Sequence, residues 1–207
     1  MGKGVQETNS ARMVLYALIR SFLDGPPNGE KLGYWLLILD ALQKGTGSSA
    51  FDEAVSRLGS VLKEKELVDI QNEFYELFEN PFGNSRLQPF ASYYIDGKIM
   101  GTSLVKLRQL LYNLNLGKEE CFRETEDHLV FLLDLMIHLI QKGSQGQESG
   151  TSVQGKIIHD YILPTVKGMQ RDLSAHGNFA VYRAVLEAAL AFFTLDECLF
   201  PSMEDGV

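Results

Sequence analysis

The chain has 207 residues, of which 45% are hydrophobic and 22% charged, with a formal net charge of -8. That balance fits a compact globular unit and excludes a disordered or fibrous chain. The acidic excess, with no cluster of Lys and Arg, disfavours nucleic acid as a partner, and two cysteines, Cys121 and Cys198, are too few for a disulfide framework or a cysteine-rich metal site.

Read from the N-terminus, Lys3 precedes an apolar patch from Met13 to Ile19, but polar residues surround the patch and no small-residue cleavage site follows it. Gln6 stands where an N-myristoylation pattern needs Ser or Thr. No export signal is expected, and a cytoplasmic protein is. Apolar residues then recur at helical spacing almost everywhere, without sustained apolar/polar alternation, so the chain is read as all-α. Helices are predicted over Ser10 to Leu23, Glu30 to Lys44, Ser49 to Lys63, Glu66 to Glu79, Ser103 to Leu116, Lys118 to Lys142, Val153 to Ala175 and Asn178 to Leu195.

The breaks carry their own chemistry. Gly25-Pro26-Pro27-Asn28-Gly29 cannot continue a helix, and Asn80-Pro81 stops one. Gly45-Thr46-Gly47-Ser48-Ser49-Ala50 ends a helix and supplies a cap for the next; it fits a dinucleotide G-x-G-x-x-A pattern, but follows a helix where that fingerprint needs a strand. Gly97-Lys98, Gly117-Lys118 and Gly155-Lys156 lack the following Ser or Thr of a phosphate loop. Asn115-Leu116-Gly117 suggests a boundary between an N-lobe, 1–117, and a C-lobe, 118–207, within one helical domain. Gly143 to Gly155, rich in Gly, Ser and Gln, is expected to be a flexible loop outside the core.

The longest apolar run, Leu129 to Ile140, is interrupted by Asp134 and His138 and falls short of the roughly 18 residues of a membrane span. It reads as a buried helix. Asp134 and His138 lie four apart and can share a metal or a hydrogen bond, the hydrogen bond being expected. No Glu has a His three positions later, so the di-iron pattern of helical bundles is missing. Neither cysteine nor any serine sits in a nucleophile elbow, and no enzyme activity or cofactor is expected.

Three segments stand out. Phe74, Leu77 and Phe78 share a helix face beside Glu73, Glu76 and Glu79, the pattern of an apolar groove edged by carboxylates. In Leu87 to Gly101, Pro89 opens an aromatic cluster of Phe90, Tyr93 and Tyr94, and Asp96-Gly97 makes a turn; on the residues alone the cluster reads as a buried turn packing aromatics. Glu124-Thr125-Glu126-Asp127-His128 places three carboxylates and an imidazole before the apolar run. Glu124 and His128 can pair at i, i+4, leaving Asp127 free for an external cation; on the residues alone this is either a solvated helix start or a site.

Together these residues resemble the TorD-like chaperones of molybdoenzyme assembly, with their DmsD and NarJ branches. Phe74 to Phe78 matches the aromatic-x-x-Leu-Phe element, Pro89 to Gly97 the Pro-x-x-Ser-aromatic region with its Asp-Gly turn, and Glu124 to His128 the E-x-P-D-H element, in the family's order. The similarity continues through Leu129 to Leu139, His159 to Pro164 and Tyr182, so it spans roughly residues 70 to 196. Glu126 departs from the family's proline, and Thr165 from its usual tryptophan.

The resemblance implies a cytoplasmic, all-helical, non-enzymatic chaperone of anaerobic respiration, monomeric or a domain-swapped dimer. It would bind the twin-arginine signal peptide and precursor of a molybdenum oxidoreductase's catalytic subunit until molybdopterin insertion and export. The implied peptide-binding residues are Phe74, Leu77, Phe78, Pro89, Ser92, Tyr93, Glu124, Asp127 and His128, with His128 also ordering a hinge between the lobes. A NarJ-like assembly factor with a non-exported client and an unrelated helical interaction domain are the alternatives.

Overall fold

The computed structural model describes residues 3–42, 47–83, 87–119, 122–144, 150–175 and 177–200. Among them there is no strand, and the one isolated bridge pairs Phe90 with His128. The helices are α1 (Lys3–Leu23), α2 (Gly29–Leu42), α3 (Ser49–Glu64), α4 (Leu67–Phe74), α5 (Ala91–Asp96), α6 (Thr102–Asn113), α7 (Leu129–Ser144), α8 (Gly150–Ile157), α9 (Leu163–Ser174) and α10 (Ala180–Glu197). Wider π-helical turns, Tyr75–Glu79 and Ile158–Ile162, continue α4 and join α8 to α9. The all-α reading is borne out.

The predicted breaks act through specific caps. Asn28 Oδ1 accepts from Lys31 N at 2.8 Å to open α2, and Ser48 Oγ accepts from Phe51 N at 3.4 Å to open α3. Asn80 ends the π-turn, its N–H donating to Tyr75 O at 2.7 Å, and Gly97 closes α5 with φ 72°.

Four boundaries differ from expectation. α1 begins at Lys3 rather than Ser10, where the Thr8 and Ser10 hydroxyls bond back to the Gly4 and Gln6 carbonyls. α7 begins at Leu129 rather than Lys118, because a turn closed by His128 N donating to Thr125 O precedes it. α5 was not expected: six residues are too few to show a period. In the segment expected as a loop, Gly143 and Ser144 finish α7, and Gly150 to Gly155 lie in α8, where Gln154 is buried. Residues 145–149, like 43–46 of the Gly-Thr-Gly turn and Cys121, lie outside the described residues.

The fold divides into two compact units built from sequence-distant segments. Unit 1 takes Met1–Ala17, Pro89–Thr165 and Asp196–Val207; unit 2 takes Leu18–Gln88 and Val166–Leu195. The boundary expected after residue 117 lies inside unit 1. The unit 1 core holds Leu104, Leu107 and Leu111 of α6, and almost every apolar residue from Leu129 to Ile140, as the run's length implied. In unit 2, Trp35 stacks on Phe22 with centroids 3.8 Å apart and donates from Nε1 to Ser21 Oγ at 2.7 Å, while the Tyr182 hydroxyl donates to Phe22 O at 3.0 Å. Each aromatic thus buries its apolar body and still satisfies its polar tip.

Candidate functional site

Six of the predicted site residues, Pro89, Ser92, Tyr93, Glu124, Asp127 and His128, lie in unit 1, where two loop segments meet. Leu129 N donates to Pro89 O at 2.7 Å and Ala91 N to Asp127 O at 2.9 Å, which pairs Phe90 with His128 in the antiparallel bridge. The Asp127 carboxylate then opens α5. Its Oδ2 accepts from Ser92 N at 3.0 Å and from Ser92 Oγ at 2.5 Å, and Oδ1 accepts from Thr125 Oγ1 at 2.5 Å. A side chain far along the sequence thus does the work of an N-cap, supplying an acceptor to orphan amide donors at the helix start.

The expectation that Asp127 is free for an external cation is therefore corrected: it is fully buried, as is Ser92. Burying a carboxylate is costly unless several donors surround it, and they do here. The Glu124–His128 pair also fails to form, because residues 124–128 are a turn rather than helix. Glu124 is exposed with its carbonyl accepting from Lys118 Nζ at 2.7 Å, while His128 Nδ1 takes the Val130 N–H at 3.2 Å. The His128 ring lies edge-on to Phe90 and Phe122, and its burial lowers the imidazole pKa to about 4 against the opposing pull of Asp127.

A second carboxylate-serine pair locks the far end of α5. Asp96 Oδ2 accepts from Ser103 N at 2.8 Å and Ser103 Oγ at 2.6 Å, and these bonds hold its pKa below the usual carboxylate value. A Cβ on Gly101 would sit 2.2 Å from Asp96 Oδ2, so the turn demands glycine. Met100, at φ 61°, turns its N–H onto Ser92 Oγ at 3.0 Å. Ser92 thus relays between Asp127 and the turn, and of the unit 1 site residues Tyr93 and Glu124 are exposed and Pro89 and His128 half-buried.

Phe74, Leu77 and Phe78 lie in unit 2. Phe74 is 3% exposed and Leu77 fully buried, and Phe74, Phe78 and Tyr182 form an aromatic cluster with centroids 5.1 to 6.2 Å apart. The carboxylate expected at the groove's edge, Glu73, turns inward: its Oε2 accepts from Val181 N at 3.0 Å and Tyr182 N at 3.2 Å, capping α10. Burial raises the Glu73 pKa against those stabilising bonds. This stripe is core, with Phe78 alone of the three half-buried.

Sequence reasoning missed the polar centre of unit 1. Arg12 Nε and Nη2 grip Asp196 Oδ1 and Oδ2 at 2.5 and 2.9 Å, Nη2 also reaches Gln154 Oε1 at 2.8 Å, and Tyr16 donates to Asp196 Oδ2 at 2.8 Å. Burial and the neighbouring carboxylate push the Tyr16 pKa well above its usual value. The only sequence signal is an Arg and an Asp interrupting apolar helix faces. A cleft of about 420 Å³ opens above Arg12, lined by Val5, Thr8, Leu199 and Phe200 among others. Asp134 is half-buried and His138 exposed, and among the described residues no group of three or more His, Cys, Asp or Glu is placed to hold a metal.

Thr165, where the family's tryptophan was expected, is fully buried and bonds back to Tyr161 O at 2.6 Å. No helix among the described residues is long and apolar enough to cross a membrane.

The family model described as the nitrate reductase delta subunit covers residues 46–168, which contain the α4 stripe and both halves of the Ser92–Asp127 junction. The chain is 29% identical over 154 residues to the chaperone protein TorD of Vibrio cholerae, covering 71% of this chain and 69% of that one. It is 26% identical over 175 residues to TorD of Actinobacillus pleuropneumoniae, covering 76% and 83%. A solved chain from Archaeoglobus fulgidus, proposed as a redox enzyme maturation protein, aligns over 88% of this chain and 93% of its own at 19% identity, with a TM-score of 0.49. The chain belongs to the nitrate reductase delta subunit family, as a TorD-like chaperone rather than an enzyme.

Proposed function

We propose that the protein binds the twin-arginine signal peptide and precursor of a molybdenum oxidoreductase's catalytic subunit in the cytoplasm, holding it until molybdopterin is inserted and export can begin. The observation that carries this reading is the family match through residues 46–168 together with relatives named as TorD chaperones. The acidic balance of the chain suits a peptide that offers two guanidiniums and an apolar segment. In unit 1, Pro89, Tyr93, Glu124 and His128 are the peptide-contacting candidates, and Ser92 and Asp127 position them. In unit 2, Phe78 is the candidate, backed by the buried Phe74 and Leu77.

The test is a calorimetric titration with the twin-arginine signal peptide of the nearest encoded molybdoenzyme, beside a version with both arginines replaced by glutamine. Binding of the first at about micromolar affinity or tighter, with the second much weaker, supports the reading. The family model's description and the loss of proline at Glu126 favour a second reading, a NarJ-like factor whose client is not exported. Equal binding of both peptides supports that one. Binding of neither overturns both.

A further inference from the structure

The helix that carries the Phe74–Phe78 element also carries exposed apolar residues on the side facing away from the unit 2 core. At helical spacing Val68, Asn72 and Tyr75 share one face, opposite Ile70, Glu73, Phe74 and Leu77. Exposure agrees: Val68 is 54% and Tyr75 47% exposed, against 8% or less for the four inner residues. In the turn after Asn80, Phe82 is 92% exposed. Phe82 is held beside the helix end, because its N–H donates to Asn80 Oδ1 at 3.0 Å while Asn80 Nδ2 donates to Glu76 Oε2 at 2.8 Å.

A fully solvated phenylalanine on a two-bond anchor gains nothing for the fold; exposed apolar groups along one helix and the turn that follows it mark an interaction surface. Its charge is one-sided. Between Glu64 and Phe82 the chain carries six carboxylates and one lysine. Glu73 is spent inside, but Glu64, Glu66, Asp69 and Glu79 are exposed and Glu76 half-exposed around the apolar residues. The π-helical turn at Tyr75–Glu79 adds a local departure of the kind found at functional positions.

We infer that this outer face, Val68, Tyr75 and Phe82 within the ring of Asp69, Glu76 and Glu79, docks a client segment that is both basic and apolar. The inference rests on the reading of the client peptide given above and assigns it a surface that uses the two unspecified positions of the Phe74–Phe78 element and their neighbours rather than Phe74, Leu77 and Phe78. Apolar side chains of the peptide cover Tyr75 and Phe82, and its guanidiniums reach the flanking carboxylates.

The test uses the full chain and a synthetic peptide with an Arg-Arg pair followed by a run of Leu and Ala. Tyr75→Ser/Phe82→Ser weakens binding by about tenfold or more, as loss of two aromatic anchors does, with unchanged thermal melting. Asp69→Asn/Glu79→Gln weakens it less and flattens its salt dependence. Phe82→Ser alone, at a site with almost no packing, weakens binding in the same direction and guards against a folding artefact. Wild-type binding that all three variants keep overturns this surface while leaving the proposed function standing. No binding by the wild-type chain overturns both. A variant that dissociates a dimer of the chain without changing peptide affinity shows that a second copy occupies the face, and also overturns the inference.

Discussion

Asp127 decides the local structure around residues 87 to 103. Its buried carboxylate satisfies the buried Ser92 N and Ser92 Oγ and the half-buried Thr125 Oγ1. Asp127→Ala leaves the Ser92 donors buried and unpaired and is expected to cost about 2–4 kcal/mol in urea denaturation. Asp127→Asn, which keeps an acceptor oxygen, costs about 1 kcal/mol. A melt of Asp127→Ala that overlays the wild type contradicts this placement. His128 adds a pH dependence: it is held neutral with a pKa of about 4, whereas the unfolded chain takes up a proton near 6.5. The unfolded state therefore binds more protons between those values, so the contribution is complete above pH 6.5 and is lost as pH falls toward 4. It amounts to up to about 3 kcal/mol, and His128→Gln removes that slope from the stability profile. The Asp-His pair was legible in the sequence as a marked element. Its orientation was not, because Ser92 lies 35 positions away and only the tertiary fold makes them neighbours.

At the scale of the element, α4 shows how a period establishes a helix without saying which face is buried. Ile70, Phe74 and Leu77 repeat at helical spacing, but so do Val68 and Tyr75. Glu73 settles the matter in the structure: it leaves the solvent to cap α10, so its face is the inner one. Glu73→Ala removes the cap and costs about 1–2 kcal/mol. Glu73→Gln keeps an acceptor and removes a desolvated charge. The folded-state pKa is raised above 4.5, so the native state holds the proton longer, and wild-type stability falls as pH rises through that interval. Glu73→Gln flattens this fall, which paired urea titrations below and above the interval measure. The short α5 escaped prediction for a related reason. Its start is supplied by Asp127 rather than by its own sequence, and its six residues hold less than two turns.

Across the whole molecule, the two units are assembled from segments that a linear reading keeps apart, and an expected boundary at Gly117 follows turn chemistry rather than contact. The Arg12–Asp196 pair joins positions 184 residues apart inside unit 1. Arg12→Leu strands a buried carboxylate and is expected to cost about 3–5 kcal/mol, whereas Arg12→Leu/Asp196→Leu, which removes both charges, recovers much of it. Chemical denaturation of the two variants separates these outcomes. The all-helical class was legible because hydrophobic spacing is local; this closure was not, since no local pattern pairs one buried Arg with one distant Asp.

The most direct measurement of the chaperone reading is hydrogen–deuterium exchange of the full chain with and without the twin-arginine signal peptide of the nearest encoded molybdoenzyme. The account predicts slowed exchange on peptide addition in residues 67–82 and in the segments 89–93 and 124–128. Identical exchange along the whole chain, at a peptide concentration well above micromolar, would contradict it.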